Sequence, residues 1–164
     1  MSDQPTDDHE ANMIIAIDPG KISGIAVYGD GQFRTYEYDV QSTIRFVDSV
    51  WYQLHGDIEV VSEKFTISEK TIKTSLSTDA LDINGWLRIE SERLGFPYKE
   101  QPVQKSANSF ASDDKLKAVG WHTPTKDGHA NDAARHLMVY LWHEHRAIFN
   151  QNLMPSLAKA VLNA

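Results

Sequence analysis

The sequence predicts an α/β domain on a mixed sheet of five strands with helices on both faces. Three observations carry that expectation. Two almost continuous apolar runs, residues 13–17 and 25–28, lie either side of a short glycine-bearing break. A third run, with Tyr36, Tyr38 and Val40 alternating against Glu37 and Asp39, follows the turn Gly29-Asp30-Gly31. Beyond it, segments of helical periodicity alternate with short apolar runs, the pattern of strands joined by helical crossovers.

The first two strands are apolar at every position, as expected of strands covered on both faces, and the third is half-exposed. Tight connections make these three antiparallel. Ile44, Val47, Trp51 and Leu54 recur at helical spacing up to Gly56, after which IEVVSEKF (residues 58–65) reads as the fourth strand. A helix between strands three and four lets the fourth run parallel to a neighbour.

Residues 68–77 are polar and rich in Thr and Lys and read as a surface loop. Ala80, Ile83, Leu87 and Leu94 mark a second helix closed by Gly95 and Pro97, and residues 98–103 form a fifth strand that Pro102 confines to an edge or ends. A short helix over 113–120, a loop over 120–128 and a long helix from near Asp127 follow. That helix carries an apolar stripe of Ala130, Ala133, Ala134, Leu137, Met138 and Leu141, with its small residues first, so that its start can approach the sheet closely. Residues 153–162 form a weaker amphipathic tail.

Composition narrows the function classes. A chain of 164 residues can bury a core as one domain, here expected over 13–164, behind an acidic disordered leader over 1–12. There are no cysteines, no secretory signal pattern and no apolar run near the roughly 20 residues that span a bilayer, so a cytoplasmic setting is expected and no membrane partner. Net charge is −7, but Asp3, Asp7, Asp8 and Glu10 supply four of the negatives, and the rest of the chain carries only −3. A nucleic-acid partner met through divalent ions and local lysines is compatible with that balance.

Chemistry converges from three places. Asp18 ends the first strand, where burial without a positive partner is costly. Glu63 ends the fourth strand and points at the same spot if the first and fourth strands are neighbours. His129 and Asp132, three apart at a helix start, share one face, and the positive end of the helix favours the ionised Asp132. Such an oxygen-rich set without thiolates suits Mg²⁺ or Mn²⁺, and two ions of that kind catalyse phosphodiester hydrolysis. Each residue also has an ordinary reading: Asp18 as a turn former before Pro19, Glu63 as a solvated strand end, His129 as a helix-start residue. Lys64, Lys70 and Lys73 are candidates for DNA-backbone contact as well as for a solvated loop face, and Phe65 either fills the core or stacks on an unpaired base. Arg135, His136, His143 and His145 read as surface residues.

The arrangement resembles the RuvC family of Holliday junction resolvases, within the RNase H-like and retroviral-integrase superfamily. The family's first signature stands here as Asp18-Pro19-Gly20 with Ser23-Gly24, its second acid with a following aromatic as Glu63 and Phe65, and its last-helix ligand pair as His129 and Asp132. The resemblance runs over residues 13 to about 149 and is similar in its short, acidic form to bacteriophage members. It implies sheet order 3-2-1-4-5, a metal-dependent endonuclease acting on branched DNA (four-way junctions, flaps and forks) in recombination and repair, a homodimer, and two bound ions. Asp18, Glu63, His129 and Asp132 would be ligands, and Lys105 and Lys115 would approach the scissile phosphate. Two alternatives stand beside it: a junction-binding module of the same fold without cleavage, and a phosphate-binding domain of the actin-like or sugar-kinase kind, which opens with a similar strand-turn-strand but needs two such domains.

Overall fold

The computed structural model describes residues 13–65, 78–102 and 110–162. Five strands form one mixed sheet: β1 (Met13–Asp18), β2 (Ile22–Gly29), β3 (Gln32–Asp39), β4 (Ile58–Glu63) and β5 (Tyr98–Gln101). Their spatial order is β3-β2-β1-β4-β5, as expected, with β1–β2 and β2–β3 antiparallel and β1–β4 and β4–β5 parallel. The β2–β3 hairpin turns on two residues, Asp30 and Gly31, with φ of 50° and 71°. Positive φ at both central positions is what Asp-Gly supplies most readily.

Six helices are described: α1 (Val40–Gln53), α2 (Asp79–Leu94), α3 (Asp113–Ala118), α4 (His129–Glu144), α5 (Arg146–Asn152) and α6 (Met154–Leu162). The period-2 alternation of the strands sorts the core into two layers. Ile15, Ile17, Ile25, Val27, Ile58 and Val60 pack with Val47 of α1 and Ile83 and Leu87 of α2 on one side. Ile14, Ala16, Ala26, Tyr28 and Val61 pack with Ala133, Ala134, Leu137 and Met138 of α4 on the other. The first two strands read as continuous apolar runs because both faces are covered. Asp18 continues the α4-side series of Ile14 and Ala16, and Glu63 continues that of Val61, so both carboxylates face the start of α4.

Several boundaries differ from the expectation. Val40 does not end β3; it opens α1, because Asp39 adopts the N-cap position and accepts the Ser42 N–H at 2.7 Å. β5 stops at Gln101, immediately before Pro102, which has no N–H to give a ladder. The long helix begins at His129, with Gly128 as its N-cap, and breaks after Glu144, so that α5 and α6 replace a single tail. At the break, His145 binds Glu59 of β4 at 2.8 Å. Burial works to raise the Glu59 carboxyl, but hydrogen bonds from His145 and Tyr140 override it and hold Glu59 below the ordinary carboxylate range. No described helix is long and apolar enough to cross a membrane.

Candidate metal centre

Helix α4 is brought to the sheet by glycine. Gly24 pairs with Asp18 across β1–β2, and a Cβ built on it would lie 1.8 Å from the His129 carbonyl oxygen. The helix start therefore rests directly on β2 backbone. Glu37, opposite Gly24 on β3, accepts the Ala130 N–H at 3.0 Å and so satisfies one of the helix's open donors. Asn131 clamps the loop before the helix, donating to the Thr123 carbonyl at 2.8 Å and accepting the Thr123 N–H at 2.9 Å. Thr123 in turn shares a 2.7 Å hydroxyl contact with Thr35 of β3.

The turn after β1 is equally fixed. The buried Ser23 hydroxyl accepts the Gly20 N–H and donates to the Gly20 carbonyl, both at 3.3 Å, which closes the Asp18-Pro19-Gly20 corner. At the end of β4 the Glu63 carbonyl accepts from Asn84 of α2 at 2.9 Å.

This framework converges on Asp18. His129 Nδ1 lies 3.3 Å from Asp18 Oδ2, and Asp18, His129 and Asp132 present donor atoms all within 4.8 Å of one another. Asp18, Glu63 and His136 form a second such set, with His136 Nε2 2.5 Å from Glu63 Oε2. Asp18 belongs to both. The sets differ in exposure: the Asp132 side chain is 46% exposed, whereas that of His136 is 8%. The site is open to solvent on the His129 and Asp132 side.

Asp18 shows the electrostatic consequence. Burial, followed by the Asp132 charge, pushes its carboxyl up to about 6; Glu63 adds to the rise, and the His129 hydrogen bond and the His136 ring oppose it. Three carboxylates and two imidazoles without a thiolate form a donor set for a hard or borderline divalent cation, and the raised Asp18 marks a site short of positive charge. The residues present fit such an ion. Arg135 covers the outer edge, donating to Asp132 at 2.5 Å and also to Asp113 at the start of α3.

All four sequence-predicted ligands, Asp18, Glu63, His129 and Asp132, meet here. His136 and Arg135 do not lie on the surface as expected: α4 turns His136 towards the end of β4, and Arg135 is held between two aspartates. The signal for His136 was present, because positions 129, 132 and 136 fall on one helix face. His145 is likewise drawn in by Glu59, while His143 is exposed. The Lys115 ammonium donates to the Phe110 carbonyl at 2.7 Å. Lys64 is exposed with its N–H on the Gln101 carbonyl, and Phe65 is half-buried. Lys70, Lys73 and Lys105 lie outside the described residues. No family model matches the chain, and no curated protein matches its sequence.

Proposed function

We propose that the protein is a metal-dependent, structure-selective DNA endonuclease with an RNase H-like fold, acting on branched DNA and most particularly on four-way junctions. The observation that carries this reading is the pair of donor sets sharing Asp18 at the open end of the sheet. The sheet order β3-β2-β1-β4-β5 with the acids at the ends of β1 and β4 agrees with the resemblance to RuvC. Divalent ions held there supply a polarised water and charge stabilisation at the leaving oxygen of a phosphodiester.

The chain's own residues provide the rest. Asp18 is common to both donor sets and would hold ions in either. Asp132 and His129, at the positive end of α4 and open to solvent, face the approaching phosphate. Arg135 adds a fixed positive charge at the rim, and Lys64 and Phe65, just beyond Glu63, stand where a displaced strand could contact backbone charge and an unpaired base. A homodimer would place two such centres on a two-fold substrate, as symmetric nicking of a junction requires.

The test is incubation of the purified protein with a labelled synthetic four-way junction and a linear duplex of the same sequence, with Mg²⁺, with Mn²⁺ and with chelator. Paired symmetric nicks in the junction that need the metal support the reading. Junction binding without nicking under every metal condition identifies a binding module instead.

A further inference from the structure

Glu63 is not the only side chain that β4 and β5 aim at α4. Gln101, the last residue of β5, is the register partner of Glu63, and its amide oxygen lies 3.3 Å from His136 Nδ1. The other ring nitrogen, Nε2, faces Glu63 Oε2 at 2.5 Å, and a ring nitrogen of His136 lies within 4.8 Å of a carboxylate oxygen of Asp18. In the tautomer that donates Nδ1–H to Gln101, Nε2 is the nitrogen left to bind an ion beside Glu63. One donor atom from each of Asp18, Glu63 and His136 lies within 4.8 Å of the others, close enough to share one ion. An imidazole whose far nitrogen is anchored by an oxygen acceptor is the arrangement by which proteins orient histidine towards a metal ion.

We propose that His136 is a direct metal ligand, completing with Asp18 and Glu63 a nitrogen-bearing subsite oriented by Gln101. The inference rests on the proposed metal-dependent function and adds to it a ligand from the second turn of the helix face that carries His129 and Asp132. The subsite is the buried one of the two, with the His136 side chain 8% exposed, so an ion there is held by protein groups on the side away from solvent. An imidazole at this position shifts the subsite from an all-oxygen set towards one that favours Mn²⁺ over Mg²⁺.

The test is Mn²⁺ binding followed by pulsed electron paramagnetic resonance, which detects a histidine nitrogen coordinated to the ion; no DNA is needed. His129→Ala removes the exposed imidazole and its contact to Asp18 but keeps all three donors of the buried subsite. The expected result is that His129→Ala still binds Mn²⁺ with nitrogen coupling, and that His129→Ala with His136→Gln loses the coupling while circular dichroism shows the fold intact. Glutamine is chosen because it can keep the contact to Glu63 without an imidazole. Mn²⁺ bound by His129→Ala without nitrogen coupling, no Mn²⁺ bound by it, or coupling that persists in the double variant each overturns the role of His136. If the parent protein itself binds no Mn²⁺, the metal-dependent function fails with it, so the two failures are distinguishable.

Discussion

Gly24 and His129 meet backbone to backbone: a methyl group on the glycine would sit 1.8 Å from the His129 carbonyl oxygen. The partner is main chain at the first residue of α4 and cannot swing aside like a side-chain tip. Gly24→Ala must therefore move the helix start away from β2 and with it His129 and Asp132. We expect a loss of about 1–3 kcal/mol of stability, as for overpacking a tight contact, together with weakened divalent-ion binding. Thermal unfolding and Mn²⁺ titration of the variant check both; a parent-like melting temperature and affinity would mean that the helix start is not fixed by this contact.

Glu37 holds the same helix from the other side, through the Ala130 N–H. Glu37→Ala leaves that donor without its carboxylate and should cost about 0.5–2 kcal/mol, the range for losing a helix cap. Denaturant unfolding measures it. A change near zero would show that water replaces the carboxylate without loss.

Asp18 should show a trade between function and stability. Its carboxyl is raised to about 6, above the ordinary value near 3.8, so between those values the folded metal-free protein holds a proton that the unfolded chain has released. Stability contributed by that proton is present at low pH and is lost as pH rises from about 4 to about 6. At pH 7 Asp18→Asn should therefore stabilise the metal-free protein, by on the order of 1–3 kcal/mol, and the gain should vanish near pH 4. The same variant should no longer be stabilised by Mn²⁺. Unfolding curves at pH 4 and pH 7, with Mn²⁺ and with chelator, decide the matter; a variant less stable than the parent at pH 7 without metal contradicts the raising of Asp18 by burial and by its acidic neighbours.

On the proposed function, His129 should govern metal choice at the exposed donor set. Its imidazole is a softer, neutral ligand where a carboxylate would be hard and negative, and His129→Asp should raise the ratio of Mg²⁺-supported to Mn²⁺-supported nicking. Parallel cleavage assays with the two ions measure it. An unchanged ratio would remove His129 from the ligands.

The sheet and most of the site were legible in the sequence, and the reasons are local. Asp18 and Glu63 end apolar runs, and His129 and Asp132 are close in the chain, so strand and helix periodicity suffices to place them. The tight turns place β1, β2 and β3 side by side and the two helical crossovers allow parallel pairs, while the full order was what the resemblance implied. What periodicity does not contain is the choice of partner. His136 shares the helix face of His129 and Asp132, but periodicity does not show that Glu63 and Gln101, in register on β4 and β5, close on its two ring nitrogens. The break after Glu144 depends on Glu59 capturing His145 and Tyr140 across 86 and 81 residues of chain. Arg135 reads as solvated because neither neighbour in sequence reveals that Asp113 lies beside it.

The central claim is that the Asp18-centred donor sets hydrolyse phosphodiester bonds in branched DNA. Asp132→Asn tests it most directly, because the change removes ligand charge while preserving shape. The measurement is binding and nicking of one labelled four-way junction, in Mn²⁺, by the parent, Asp132→Asn and the double variant Asp18→Asn with Asp132→Asn. The expected result is metal-dependent nicking by the parent, junction binding retained by Asp132→Asn, and cleavage lost almost as completely in the single variant as in the double, since the ligands act as a unit. Undiminished nicking by Asp132→Asn, or a parent that binds the junction and never cuts it, would contradict the account.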